Sequence, residues 1–334
     1  MIAGAAFAAW LADRSAQKVA FDAVEASAAM LSRHPLMAGL ERELGELSDR
    51  TPATILAAAR RLIDQTAALD ALMRDLIASC RDNPFYRPPL HPATSDIHSG
   101  LLLYDHPALS IALGVTGVDA LAVKKSGKRG ATSLGFTGLL TSFRYLKAGK
   151  ATVSFWEAPP IADNFISADA GQARFVGRRR IEDGEEIVID GRYQSFVIEH
   201  AETDMVYFQA LVRSGGAPVA VEYDSSSLTF VNASSTDEVA SRVQLMVSLL
   251  RTMDRQDAVP LVAEALNSPR FYTRWHVMRE LLAMDADAAL PHLRRMAEAD
   301  PHPEVRAAAV QTLAMFFDDE AEPVRDQEAI ECRG

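Results

Sequence analysis

Two stretches near the C-terminus lie one above the other: "AVPLVAEALNSPRFYTRWHVMRELLAM" and "ALPHLRRMAEADPHPEVRAAAVQTLAMF". Pro260 falls over Pro291, 31 residues on, and Arg274 over Arg306, 32 residues on. Leu281 and Leu313 keep the same offset of 32. A period of this length marks a stacked helical repeat. It constrains the fold strongly, because one helix pair cannot bury its apolar face alone and must stack on a neighbour. Two pairs fall short of the about three that such arrays need. The helical stretch 237–253 is expected to supply the missing layer.

The Pro-led first helix, the "DPHPEVR" turn and the Ala-rich second helix resemble HEAT repeats over residues 257–317. The first copy departs from the pattern, with Trp275 and His276 where small residues would sit. The resemblance implies a scaffold that holds a protein or peptide partner, with Asp300 and Arg306 making polar contacts between neighbouring repeats. Within "SPRFYTRWHVMREL", aromatic residues and Arg crowd one helix start. These types are enriched at binding hot spots. Tyr272, Arg274, Trp275 and Arg279 are therefore candidate partner-binding residues, with Tyr272 and Arg274 as the exposed members. Trp275 reads equally well as filler of a packing seam. His276, His292 and His302 lack the H-x-x-x-H spacing of a helical metal pair and read as structural or surface residues.

Residues 1–90 read as a helical segment. The apolar opening "MIAGAAFAAWLADRS" has no Lys or Arg before it and runs on as amphipathic helix, which argues against a secretory leader. No apolar run approaches the ~20 residues of a membrane-spanning helix. At "TPATIL", Thr51 is a plausible N-cap and Pro52 takes the first helical position. Ile55, Leu62, Leu69 and Leu76 then recur every seven residues, with Leu56, Ile63, Met73 and Ile77 beside them. This stripe reads as bundle core or as a homodimer seam. Pro84, Pro88, Pro89 and Pro92 end the helix and suggest a domain boundary.

Residues 97–234 change texture. "ATVSFWEA", "EEIVIDG", "QSFVIEHA", "DMVYFQALV" and "LTFVNA" are strand-length runs separated by turns such as Asp183-Gly184 and Gly215-Gly216. Strands at this spacing suggest a barrel or sandwich. Residues 235–320 turn helical again. "STDEVASRVQLMVSLLRTM" opens with a capping-box pattern of Ser235 and Glu238. Val239, Val243, Met246, Val247, Leu250 and Met253 are its expected buried stripe. Residues 321–334 read as an acidic tail.

"YLKAGKATVSFWE" and "IEDGEEIVIDGRYQSFVIEHAETDMVYFQALV" resemble the two strand blocks of a cupin-type barrel. The resemblance implies a jelly-roll in which two Gly-led blocks supply His and Glu ligands to one metal. Here Phe155 and Glu157 fall in the two His slots of the first block, and Gln194 in the third-His slot of the second. Phe offers no lone pair, and Gln is a poor transition-metal ligand beside imidazole. No cofactor is expected. His98, His106 and His200 are the remaining metal candidates, from other strands. His98 and His106 stand an even number apart, hence on one strand face unless Gly100 bends the chain.

Other chemistries fit less well. "ATSLG" at Ser133 lacks the strand before and helix after that a nucleophile elbow needs. "SGKRGATS" lacks the Walker A spacing. Two basic patches, Lys124-Lys125-Lys128-Arg129 and Arg178-Arg179-Arg180, are set against 34 Lys and Arg facing 45 Asp and Glu, a net charge of −11. That balance argues against nucleic acid and anionic membranes as partners. Cys80 and Cys332, far apart, fit a reducing, cytoplasmic compartment. The chain is thus expected to be α+β, with an N-terminal helical segment, a central cupin-like (jelly-roll) β-barrel and C-terminal HEAT-like α-helical repeats. The expected function is non-catalytic or regulatory binding through the array, the barrel mouth or both. The rival is a metal-dependent cupin-type dioxygenase or isomerase using an unorthodox His set.

Overall fold

The computed structural model describes residues 2–82, 88–126 and 133–316. Pro84, Lys128, Arg129, Cys332 and the acidic stretch 321–334 lie outside them. The chain forms two compact units, one of Met1–Ile161 with Ala170–Thr236, the other of Ala162–Asp169 with Asp237–Gly334.

The first unit opens with helices α1 (Ile2–Ala12), α2 (Arg14–Arg33), α3 (Pro35–Glu46), α4 (Pro52–Ile63) and α5 (Thr66–Asp82). Thr51 caps α4: its hydroxyl oxygen accepts from the Thr54 N–H at 3.3 Å, and Pro52 follows at the first position. The stripe expected on one helix runs over two. The chain breaks at Asp64-Gln65, where the Asp64 N–H closes the turn onto the Arg60 carbonyl at 2.8 Å. Short polar residues such as Asp64 and Thr66 compete for backbone groups and end helices. The seven-residue spacing survives the break: Ile55, Leu62, Leu69 and Leu76 are all buried. They share one core with Leu109, Ile111, Phe208, Ala210 and Val212. The stripe is therefore used inside the chain, and a dimer seam loses that face. The helical segment and the strands that follow, distinct in texture, pack as one unit for the same reason.

The strands are β1 (His91–Thr94), β2 (His98–His106), β3 (Leu109–Thr116), β4 (Ser133–Phe136), β5 (Leu140–Lys147), β6 (Thr152–Glu157), β7 (Arg174–Arg180), β8 (Glu186–Asp190), β9 (Gln194–His200), β10 (Met205–Val212), β11 (Val219–Asp224) and β12 (Phe230–Ser235). Helix α6 (Val118–Ser126) follows β3. The sheets run β1-β2-β3-β10-β5-β8, β12-β11-β4 and β7-β6-β9. The pairings are antiparallel. Alternation along β10 shows the two-sided design. Phe208, Ala210 and Val212 join the core shared with the helices, while Met205 and Tyr207 join the barrel core with Tyr145, Val153, Ile181 and Ile187. Each buried Leu, Ile or Phe contributes about 1.5–3 kcal/mol.

The second unit holds α7 (Glu238–Thr252), α8 (Val259–Glu264), α9 (Phe271–Met284), α10 (Ala286–Ala299) and α11 (Pro303–Phe316). Its core includes Val247, Val262, Val277, Met278, Leu281, Leu293, Val305 and Ala309. The expected cap moves by two residues. Ser235 stays in β12, and Asp237 caps α7 by accepting from the Ala240 N–H at 3.0 Å. The segment 162–169, between β6 and β7, is part of this unit. His302 Nε2 donates to the Phe165 carbonyl at 2.9 Å, and the Ser167 N–H donates to Glu304 Oε1 at 2.8 Å. Nothing in the sequence pattern of residues 162–169 announces this.

Candidate functional site

The side chains in the cupin ligand positions do not fit a metal. Phe155 packs on the barrel core beside Phe196, and the Arg179 guanidinium lies 5.2 Å from its ring centroid. Glu157 pairs with Arg174 and stands across from Gln194. Gln194 Oε1 accepts from the Asp190 N–H at 3.2 Å. The three spare histidines do not converge. His98 starts β2 and His106 ends it, a span of about 26 Å at strand rise. A register shift between Leu102 and Tyr104 breaks the alternation that would place both on one face. His106 Nδ1 accepts from the Ala108 N–H at 3.1 Å within its own turn. His200 is exposed at the end of β9. Among the described residues, no group of three or more His, Cys, Asp or Glu side chains could hold a metal ion. Ser133 stands at the start of β4, with a strand after it and no helix, so the nucleophile elbow is not formed.

The basic patches are largely neutralised where they are described. Lys124 lies 3.4 Å from Asp96, and Lys125 lies 3.2 Å from Glu199. Arg178 reaches Glu199 at 3.5 Å, Arg180 reaches Glu182 at 3.9 Å, and Arg179 pairs with Glu185. Exposed pairs stabilise by only about 0–1 kcal/mol. Along β7, where Arg178, Arg179 and Arg180 are each paired, they offset the local charge that a run of phosphate contacts requires.

The barrel nonetheless holds a cavity of about 570 Å³. His98, Gly100, Gly114, Tyr207 and Gln209 contribute to its wall. The close approach explains Gly114: a Cβ there would sit 2.7 Å from the Tyr207 ring. His98 Nδ1 lies 2.8 Å from the Thr116 hydroxyl and 3.2 Å from the Tyr207 hydroxyl. Burial, and then the Lys124 charge, push the His98 imidazolium pKa down, so the ring is neutral at pH 7.

In the helical array, the four candidate residues do not form one open surface. Arg274 is the correction. It was expected to be exposed, yet its side chain is 11% accessible and that of its partner Asp300 4%. Arg274 Nε and Nη2 donate to the two Asp300 carboxylate oxygens, each at 2.7 Å. Arg274 Nη1 also donates to the Ser268 carbonyl at 3.1 Å. Arg306, one period later, donates to the Asp300 carbonyl at 2.5 Å, the same contact one repeat on. Arg274 and Asp300 thus tie one helix pair to the next. Burial pushes the Asp300 carboxyl up, but the Arg274 guanidinium and the His302 N–H together hold it below its ordinary value. Tyr272 is half-buried with its ring 5.2 Å from Phe271, Trp275 is half-buried on the array core, and Arg279 is exposed.

A different surface is open. Of the stripe expected to be buried on α7, only part is. Val247 is buried, and Val243 and Leu250 pack beside it. Val239 is 69% exposed, Met246 63% and Met253, just past the helix end, 58%. Leu245 at 69% and Leu249 at 54% join them. At about 100° per residue, these five span an arc of roughly 120° beside the buried one. Leu261 on α8 is also exposed.

Residues 233–314 match the family model for HEAT repeats. The match takes in α7 with the two helix pairs, so the HEAT array has the extra layer that its short repeat count requires. No curated protein matches the chain. Solved structures similar to it include ectoine synthase from P. lautus, at 10% identity over 36% of this chain and 67% of that one, TM-score 0.22. Oxalate decarboxylase from Lactobacillus farciminis is similar at 10% identity over 47% of this chain and 37% of that one, TM-score 0.25. The Cnp3 cupin domain of Schizosaccharomyces pombe is similar at 9% identity over 37% and 69%, TM-score 0.21. At these scores the likenesses carry no argument. The architecture is N-terminal helices, central antiparallel sheets and C-terminal helices that include the HEAT-repeat match. Among the described residues, no helix is long and apolar enough to cross a membrane.

Proposed function

We propose that the chain is a cytoplasmic, non-catalytic binding protein whose HEAT array holds a protein or peptide partner on the open face of α7. The exposed arc of Val239, Leu245, Met246, Leu249 and Met253 is the observation that carries this reading. Five large apolar side chains grouped on one helix form a patch of the kind that marks interaction sites. Two of them are Met, whose flexible thioether adapts to a partner's surface. An amphipathic helix that lays its own apolar face on this arc fits the chemistry. Tyr272, Trp275 and Arg279 on α9 are the second candidate surface on the array.

The test is a pair of charge insertions, Leu245→Glu with Leu249→Glu, in the full chain. Both residues are exposed, so the melting temperature should stay within about 2 °C of wild type. A partner identified with the wild-type chain and purified should bind the double variant at least about thirtyfold more weakly, as loss of a 2 kcal/mol hot spot implies. Full affinity in the double variant would move the site off α7. Tyr272→Ala with Arg279→Ala is then the next variant to measure.

A further inference from the structure

We propose that the barrel cavity is a separate binding site for a small aromatic carboxylate, with its ring among Phe143, Phe196 and Tyr207 and its carboxylate toward Lys124 and Lys125. The cavity, about 570 Å³, lies within the about 300–1,000 Å³ typical of small-molecule sites. Its aromatic wall is already arranged for edge-on contacts. Phe143 meets Phe196 at 5.1 Å and Tyr207 at 5.6 Å between ring centroids, both T-shaped. A flat ligand ring extends such a cluster favourably.

Charge selects the rest of the ligand. Lys124 and Lys125 are the charged residues of the lining, and no Asp or Glu shares it. Asp96 and Glu199 are not part of the lining but pair with these lysines at 3.4 and 3.2 Å, and Lys125 also donates to the Glu199 carbonyl at 2.7 Å, so a ligand carboxylate has to compete with them for the ammonium groups. A positive lining in a chain of net charge −11 favours an anion locally. The polar groups left open point the same way. The Gln209 side chain and His98 Nε2 line the cavity and have no hydrogen-bond partner among the described residues. The Gln209 amide is a donor in the lining, and a ligand carboxylate can accept from it. The neutral His98 ring leaves the lysines as the source of positive charge.

Isothermal titration of the full chain with benzoate, 2-naphthoate and indole-3-acetate, each beside its own carboxamide, tests the site. At least one acid should bind one-to-one, and its amide should bind about tenfold more weakly, as a lost charge-assisted contact implies. Lys124→Met, a change on an exposed side chain, should remove that preference for the acid. Gln209→Leu should weaken the acid while leaving the fold, checked by circular dichroism, intact. Three results would each overturn the proposal. They are equal binding of acid and amide, an unchanged preference in Lys124→Met, and no binding of any of the three acids at millimolar concentration.

Discussion

Arg274→Ala is expected to destabilise the HEAT array by about 3–5 kcal/mol, because it strands the Asp300 carboxylate, buried and unpaired. Arg306→Ala removes a hydrogen bond to the Asp300 carbonyl and leaves no buried charge behind. Its expected cost is smaller, about 1–3 kcal/mol. Urea unfolding followed by far-ultraviolet circular dichroism measures both. The pH dependence separates them further. In wild type the Asp300 pKa is lowered by folding. Its contribution is therefore present above the unfolded carboxylate value of about 4 and is lost as pH falls below it. In Arg274→Ala the burial remains without the partner and pushes the carboxyl above its unfolded value, so protonation relieves the variant, and the gap to wild type should begin to narrow above about pH 4 and narrow further below it. A gap that stays constant with pH would mean that Asp300 is not the group stranded.

The second large effect is expected in the barrel. Gly149 has φ +61°, and a Cβ there would stand 2.3 Å from the Thr203 carbonyl oxygen. The Glu202 N–H donates to the Gly149 carbonyl at 2.8 Å, so the turn cannot easily move aside. Gly149→Ala should cost about 2–5 kcal/mol, from left-handed strain and overpacking together. Gly184 is the control. Its φ is +81°, but nothing lies within 4 Å of an added Cβ. Gly184→Ala should cost only the backbone strain, about 1–2 kcal/mol. Equal losses in the two variants would show that backbone conformation, and not the clash at Thr203, decides the turn at Gly149.

Much of the fold is legible in the residues because simple periodicities carry it. The 32-residue offset of Arg274 and Arg306 reports two side chains doing the same job, each donating to a carbonyl six residues back. Four of the five strand-length runs contain a whole strand, and the fifth, "LTFVNA", holds the first four residues of β12. The seven-residue spacing from Ile55 to Leu76 survives the break at Asp64, because all four residues still face one sheet. The site was less legible. Helix α7 is apolar over most of its circumference, so spacing alone could not choose which arc is buried. The surplus apolar arc is itself the signal of a surface, and reading it needed the position of the core. Arg274 has the composition of a hot spot, and only its Asp300 partner, 26 residues on, reveals that it is internal. The open Gln209 amide was invisible for the same reason: a polar residue at an inward position of a strand tells nothing until its neighbours are known.

The central claim is that the open arc of α7 is covered by a partner. Amide hydrogen exchange of the full chain, alone and in the purified complex, tests it most directly. The account predicts that binding slows exchange in residues 238–253, with the barrel strands unchanged. A complex in which this helix exchanges at the same rate as in the free chain would contradict it.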